Sequence, residues 1–434
     1  MNSIHDCMEK SAIFLIFTAA YHGTIHQLPP PARGIMLPQS ALAKVAVIHP
    51  VSYFLLAFSA MAGLAYINFL PGVVSALAGG IGFSEAEAGQ IVALNGYGGL
   101  LGSIVAIFLV RKLHWQSTML TLLALLAVID LATAWFTDYS ALLAWRFVAG
   151  LCGGLSLGIA FAVLARLDNP DRAFGALLFV QFSIGSLVIY LLPALESLLG
   201  AYAVFYLMAA IAVLALLFLL CLPTPTLTPA SANQAKTVAG TARAGLTQHA
   251  VLLLLAIMLY QIAASAIWAY AGLIGQAAGM ATASVNNTIA LTGLLGLAGA
   301  MLPVLTGQRF GRLNLLLAGI VLSLSAALLL NVAGHNLLYI GALALLFFAW
   351  PAVLAYLLAV IAATDSSGRL ATIAAVVSSI GMATGPLLAS ALLDNGNFSA
   401  LLYSCALLFL CSYVLLFKPV LAFKKPAAAL APCK

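Results

Sequence analysis

Apolar residues in this chain gather into runs of about twenty, each almost free of charge and set apart by short polar turns. Twelve such runs predict twelve membrane spans, at roughly 50–78, 87–109, 115–136, 140–165, 173–194 and 199–222, then 250–275, 285–307, 313–333, 337–363, 369–393 and 398–417. Hydrocarbon offers no partner to a backbone N–H or C=O, so each span has to be a helix that satisfies its own. The apolar–polar alternation of a membrane barrel is absent. Composition points the same way. Of 434 residues, 64% are hydrophobic and 6% charged, which leaves too little polar surface to coat a soluble fold.

The few charges give the spans a direction. With the spans numbered in order, the turns after spans 1, 3, 5, 7, 9 and 11 hold no Lys or Arg and contain Glu85, Glu87, Asp138, Glu196 and Asp394. The basic residues outside the spans all fall on the other side: Lys10, Arg33, Lys44, Arg111, Lys112, Arg166, Arg172, Lys236, Arg243, Arg309, Arg312, Arg369, Lys418, Lys424, Lys425 and Lys434. That bias predicts a multi-pass inner-membrane protein with this side, and both termini, in the cytoplasm. The net charge of +6 follows from that placement and predicts no nucleic-acid partner, because no basic patch sits on a soluble domain. Residues 1–47 read as a cytoplasmic leader, disordered or preceding a native start at Met36, since the apolar stretch from Ser11 to Tyr21 is too short to span. Six cysteines without a C-x-x-C pair read as packing residues; no metal and no cofactor are expected.

Residues 223–249, with Pro223, Pro225, Pro229, Lys236 and Arg243, break the apolar pattern and read as a polar cytoplasmic linker. It separates two blocks of six spans, 48–222 and 250–420, ahead of a short cytoplasmic tail, 421–434. The blocks repeat one another. Ala93-Leu94-x-Gly96-x-x-Gly99-x-x-Gly102 returns 197 residues later as Ala290-Leu291-x-Gly293-x-x-Gly296-x-x-Gly299, and Ser183-Ile184-Gly185 returns 196 residues later as Ser379-Ile380-Gly381. Glycine at every third position clears a helix stripe for close backbone approach, which lipid-embedded helices need in place of a hydrophobic drive. The expected fold is an all-α integral membrane protein with twelve transmembrane helices in two pseudo-symmetric six-helix bundles. Two such bundles rocking about a central site is the alternating-access design.

With those features the chain resembles the major facilitator superfamily from about residue 48 to 420. The family's loop between spans 2 and 3, G-x-x-x-D-R-x-G-R, is echoed in the second block by Gly307-Gln308-Arg309-Phe310-Gly311-Arg312, with Gln308 where the family has an acid. The first block keeps less, ending Val110-Arg111-Lys112-Leu113-His114-Trp115. Span 4 carries R-x-x-x-G-x-x-x-G as Arg146 to Gly154, and span 11 carries G-x-x-x-G-P as Gly381 to Pro386. The resemblance implies gating loops at Arg111, Arg309, Gly311 and Arg312, with a differently built latch where the acid is missing.

Asp130 in span 3 and Arg146 in span 4 are the ionisable acid and base well inside spans, each eight residues from Asp138 at the turn that joins them. Both therefore lie about 12 Å below that turn on adjacent antiparallel helices, at matched depth. An unpaired charge in hydrocarbon costs about 2.5–3.5 kcal/mol or more, so they are read as a proton-coupling or structural pair, or Arg146 as a cavity group for an anion. Further substrate-binding candidates are polar or aromatic residues near mid-span: Tyr66, Asn68, Asn95, Gln181, Gln261, Trp268 and Trp350. Tyr97, Tyr270, Ser378 and Ser379 share that setting. Trp115 and Trp135 fit the interfacial aromatic belt, and Pro71, Pro303 and Pro351 are expected to kink their spans.

These features predict a secondary active transporter that moves a small organic solute, amphipathic or monoanionic, by alternating access and with proton coupling. Its partners would be that solute and membrane lipid, with the chain a monomer. No G-x-x-x-x-G-K-[ST] occurs, so the energy has to come from a gradient. The alternatives are a transporter-like sensor and an integral membrane enzyme. An enzyme would need a nucleophile and base together, or a metal set such as H-E-x-x-H, whereas His5, His22, His26, His49, His114, His249 and His335 are scattered.

Overall fold

The computed structural model describes residues 50–110, 114–167, 170–222, 248–306, 312–332, 336–364, 369–393 and 397–424. The leader, Arg111, Arg309, Gly311, the linker up to residue 247 and the end of the tail lie outside the described residues; Arg312 is described only as the first residue of a helix. Among the described residues, twelve helices are long and apolar enough to cross a membrane. In order they are Pro50–Asn68, Glu85–Leu109, Trp115–Ala132, Tyr139–Leu164, Pro170–Leu199 and Ala203–Cys221, then Gln248–Ala277, Thr282–Gly293 continued as Leu295–Thr306, Arg312–Asn331, Asn336–Thr364, Arg369–Leu392 and Ser399–Lys424. The end of the bundle that carries the linker is called the linker end below, and the other the distal end.

Two of the distal-turn acids, Glu87 and Asp138, have a local task. Ser84 and Glu87 form a capping box on span 2: the Ser84 hydroxyl accepts from the Glu87 N–H at 3.1 Å, and the Glu87 carboxylate accepts from the Ser84 N–H at 2.9 Å. Asp138 caps span 4 by accepting from the Ala141 N–H at 2.8 Å. Negative charge at a helix N-terminus is favoured by the helix dipole, so acids suit these turns whatever the membrane requires.

Two spans are interrupted. Span 1 breaks at Phe69, just before Pro71, and resumes as Leu70–Ser75 and a π-helical turn, Ala76–Ile81, closed by Gly82 at φ 101°. Proline lacks the N–H that would continue the ladder, which accounts for the break. Span 8 breaks at Leu294, whereas Pro303 and Pro351 lie inside helices that run on past them. Trp135 is 81% exposed, as a belt residue should be, but Trp115 is buried and packs in the core, contrary to expectation.

Within the first half, span 1 packs on spans 4, 5 and 6, span 2 on span 4, and span 3 on spans 4 and 6; spans 7 to 12 pack in the same pattern. Between halves, span 2 meets span 11, span 5 meets span 8, and span 1 meets span 7. Glycines set the closest approaches. A methyl group on Gly98 or Gly102 would collide with the carbonyl oxygens of Phe147 or Leu151 on span 4, and one on Gly150 or Gly154 with those of Asn95 or Gly99 on span 2. This interlock is the structural meaning of the span-4 glycine motif.

The duplication extends to contacts. Gly102 lies against the Leu151 carbonyl, and Gly299 lies against the Phe348 carbonyl, both residues displaced by 197. The Ser59 hydroxyl donates to the Ala215 carbonyl at 3.4 Å, and the Ser412 hydroxyl donates to the Ala256 carbonyl at 2.9 Å. Positions 59 and 256, and 215 and 412, are again 197 apart, with the donor moved to the partner helix.

Candidate functional site

The space between the halves is closed from mid-membrane to the distal end. Three hydrogen bonds cross it there. The Trp268 indole on span 7 donates to the Ile67 carbonyl on span 1 at 2.9 Å, the Tyr270 hydroxyl donates to the Glu85 carbonyl at 2.6 Å, and Tyr97 and Thr384 hydroxyls pair at 2.9 Å. Glycines again permit the fit. A methyl on Gly89 would overlap the Tyr270 hydroxyl and stand 2.8 Å from the Pro386 carbonyl oxygen; one on Gly96 would press on Ala383. In the second block Gly293 faces Ser186 and Gly296 faces Phe182, on span 5 of the other half.

Linker-ward of this closure lies a polar group at mid-membrane. The Trp350 indole on span 10 donates to the Gln261 side-chain oxygen at 2.6 Å, and the Gln261 amide nitrogen donates to the Ser378 hydroxyl at 2.9 Å. Gln261 is buried while Trp350 and Ser378 are half-buried. Gln261 precedes Trp268 by seven residues, so it shares the stripe of span 7 that faces the other half, about 10 Å nearer the linker end. Gly381 and Gly385 make room for span 7 here, with a methyl on Gly381 standing 2.9 Å from the Gln261 Cβ. The G-x-x-x-G-P motif of span 11 thus seats that helix against span 7 and turns the Pro386 carbonyl towards Gly89.

Asp130 and Arg146 do meet. Arg146 Nη1 donates to Asp130 Oδ1 at 2.7 Å and to the Thr133 hydroxyl at 3.3 Å, with both charged side chains almost wholly buried. The guanidinium is also flanked by rings, its Cζ 4.6 Å from the Tyr66 centroid and 5.2 Å from that of Phe205. All these partners belong to the first half. In this conformation Arg146 is an interior clamp of spans 1, 3, 4 and 6 and does not line a cavity between the halves.

The remaining sequence candidates divide. Tyr66 is drawn into the Arg146 cluster, its hydroxyl buried without a hydrogen-bond partner. Asn95 is buried and donates to the Arg146 carbonyl at 2.7 Å, which makes it an anchor between spans 2 and 4. Asn68 is buried beside Gly185 with its amide nitrogen unpartnered, and Gln181, one turn from Gly185 on span 5, is half-buried. Trp268 belongs to the closure. Gly89 and the Ile67 and Glu85 carbonyls were not singled out in the sequence, because backbone acceptors and an isolated glycine leave no side-chain signature.

The comparisons agree with this architecture. A family profile described as Major Facilitator Superfamily matches residues 53–308. The crystal structure of the nucleoside transporter NupG is similar over 87% of this chain and 99% of that one, with 14% identity and a TM-score of 0.67, and a point mutant of it gives 13% and 0.68. The D-xylose–proton symporter is similar over 85% of this chain and 98% of that one, with 18% identity and a TM-score of 0.66. No curated protein matches the sequence. Twelve spans in two interlocked halves, closed at one end about a mid-membrane polar group, and a profile match over more than half the residues have one reading: the chain belongs to the Major Facilitator Superfamily and is a secondary transporter, not an enzyme.

Proposed function

We propose that the chain carries a small, uncharged amphipathic organic solute across the inner membrane, and that the half-buried Trp350 held by Gln261 is the surface on which that solute rests. The observation behind this reading is the Trp350–Gln261–Ser378 group at mid-membrane, on the stripe of span 7 that faces the other half and below the distal closure. An indole ring fixed at its N–H offers a flat apolar face, and Gln181, half-buried on span 5, is the amide of the first half assigned to the same solute. Arg146 is engaged by Asp130, so the monoanionic alternative would require that pair to open.

The linker end is taken as cytoplasmic because the basic residues outside the spans gather there, which makes the arrangement closed to the outside. Proton coupling has one buried carboxylate to use among the described residues, Asp130. A monomer suffices for this mechanism, since both halves of the path lie in one chain. The test is a panel of uncharged and monoanionic solutes in thermal-shift and proteoliposome counterflow measurements. Uncharged amphipathic solutes should stabilise the protein and exchange, and Trp350→Ala should abolish both effects. Stabilisation by anions alone, lost in Arg146→Leu and kept in Trp350→Ala, would overturn the proposal.

A further inference from the structure

We infer that Pro71 creates the socket of the distal gate: it frees the Ile67 carbonyl, and the Trp268 indole from the opposite half locks into it. In an unbroken helix the carbonyl of residue 67 accepts from the N–H of residue 71. Residue 71 is proline and has no N–H, so that acceptor is orphaned at the point where span 1 breaks. A buried carbonyl without a donor is costly, and the donor here comes from the other bundle, the Trp268 N–H at 2.9 Å. The neighbouring surfaces fit the same closure. A methyl on Gly272, one turn beyond Trp268, would press on the Ser75 hydroxyl, and the Trp268 ring is held edge-on to Phe347 at 5.1 Å.

The device is switchable because its strength lies between the halves and not within one. When the distal side opens, water entering the cleft takes over the Ile67 carbonyl; when it closes, the indole does. Pro71 is a positioning residue that acts through Trp268. Giving residue 71 an N–H would let span 1 satisfy its own carbonyl, leaving the indole without an acceptor and weakening closure. The inference rests on the alternating-access reading for its consequence, but the experiment measures exposure and not transport, so the two stand or fall separately.

Ser390 supplies the reporter. It is buried at the distal end of span 11, against Gly89 of span 2, and becomes reachable only when the halves part there. In the full chain in lipid nanodiscs, with Ser390→Cys in every variant, alkylation by a bulky maleimide at position 390 would be followed by peptide mass spectrometry. Trp268→Phe, which keeps a ring against Phe347, and Pro71→Ala should each raise the labelling rate about fivefold, the population shift expected for loss of one net hydrogen bond. Combined, they should raise it no further, because both remove the same bond. An unchanged rate in Trp268→Phe would overturn the latch. A Pro71→Ala effect that multiplies that of Trp268→Phe, to about 25-fold, would overturn the role of the freed carbonyl and leave Pro71 an independent kink. If Pro71→Ala fails to accumulate, Pro71→Ser supplies the same N–H and is read in the same way.

Discussion

Replacing Asp130 by Ala and Arg146 by Leu together should leave the protein about as stable as the wild type, while either change alone should be severely destabilising. The duplication supplies the reasoning. Shifted by 197, the positions of Asp130, Thr133, Arg146, Tyr66 and Phe205 fall on Ala327, Leu330, Leu343, Ala263 and Leu402, all buried. The second half therefore fills the corresponding space with apolar side chains alone. Removing only the carboxylate leaves the Arg146 guanidinium, 1% exposed, without its counter-charge, and breaking a buried pair in this way costs about 3–5 kcal/mol. Replacing both partners by apolar residues is commonly neutral or stabilising.

The local hydrogen bonds support the same outcome. Thr133 keeps its bond to the Ile129 carbonyl at 2.9 Å, and Asn95 keeps its bond to the backbone carbonyl of residue 146. Thermal and SDS-induced unfolding of the single and double variants in detergent measures the cycle. A coupling of about 3 kcal/mol or more, with the double variant near wild type, is expected. A double variant as unstable as the singles would refute the reasoning and show that the surrounding first-half packing demands the charges. Counterflow in the folded double variant then separates clamp from coupling: transport that persists and has lost its pH dependence would assign the proton to Asp130.

Gly154→Ala should prevent stable assembly of the first half, because its methyl would overlap the Gly99 carbonyl, whereas Gly341→Ala, with open space around it, should accumulate normally; size-exclusion profiles of the two compare them directly. Gly89→Ala should fold but resist distal closure, since the three groups that a methyl would meet, on Tyr270, Pro386 and Ser390, all belong to the second half; a rise in Ser390→Cys labelling with unchanged thermal stability would show this. Gln261→Leu removes the acceptor of the Trp350 indole and the donor to Ser378. It should cost about 1–3 kcal/mol in unfolding measurements and weaken solute stabilisation more than Ser378→Ala does; equal effects would mean that Gln261 does not position Trp350.

Much of the fold was legible because the membrane leaves few solutions. Twelve apolar runs must be helices, and each coincides with one in the structure to within a few residues at most ends. The matched depth of Asp130 and Arg146 could be counted from Asp138, and burial made pairing favourable; only helix rotation was hidden, and rotation decided that the pair faces the interior of one half. Rotation also decided Asn95, which shares a polar mid-span setting with Gln261 yet points at span 4. Trp115 looked like a belt residue by position along the chain, but its side is covered by neighbours. The span-8 break at Leu294 carries no proline, and the same glycine series leaves the matching helix of span 2 continuous, so the glycines alone did not announce it.

What the two halves share and what they do not follows a physical division. The repeated features are backbone contacts: glycine against a span-4 or span-10 carbonyl, and a serine tying the first helix of a half to its last. These set how closely helices approach, and any pair of halves that pack and rock alike must keep them. The side chains around Arg146, and around Gln261, have no counterpart at the 197-residue shift: Ala327 and Leu343 answer the ion pair, and Leu64 and Gly153 answer Gln261 and Trp350. A rocking mechanism needs equal scaffolds, but a solute is met by both halves at once and does not need equal surfaces. The first half places its buried charges in an internal clamp of spans 1, 3, 4 and 6, and on the function proposed above the second half supplies the indole on which the solute would rest. If the division is right, moving Gln261 and Trp350 to positions 64 and 153 should fail to recreate binding in the first half, because Gly153 packs against span 1 near Gly63 and leaves no room for an indole.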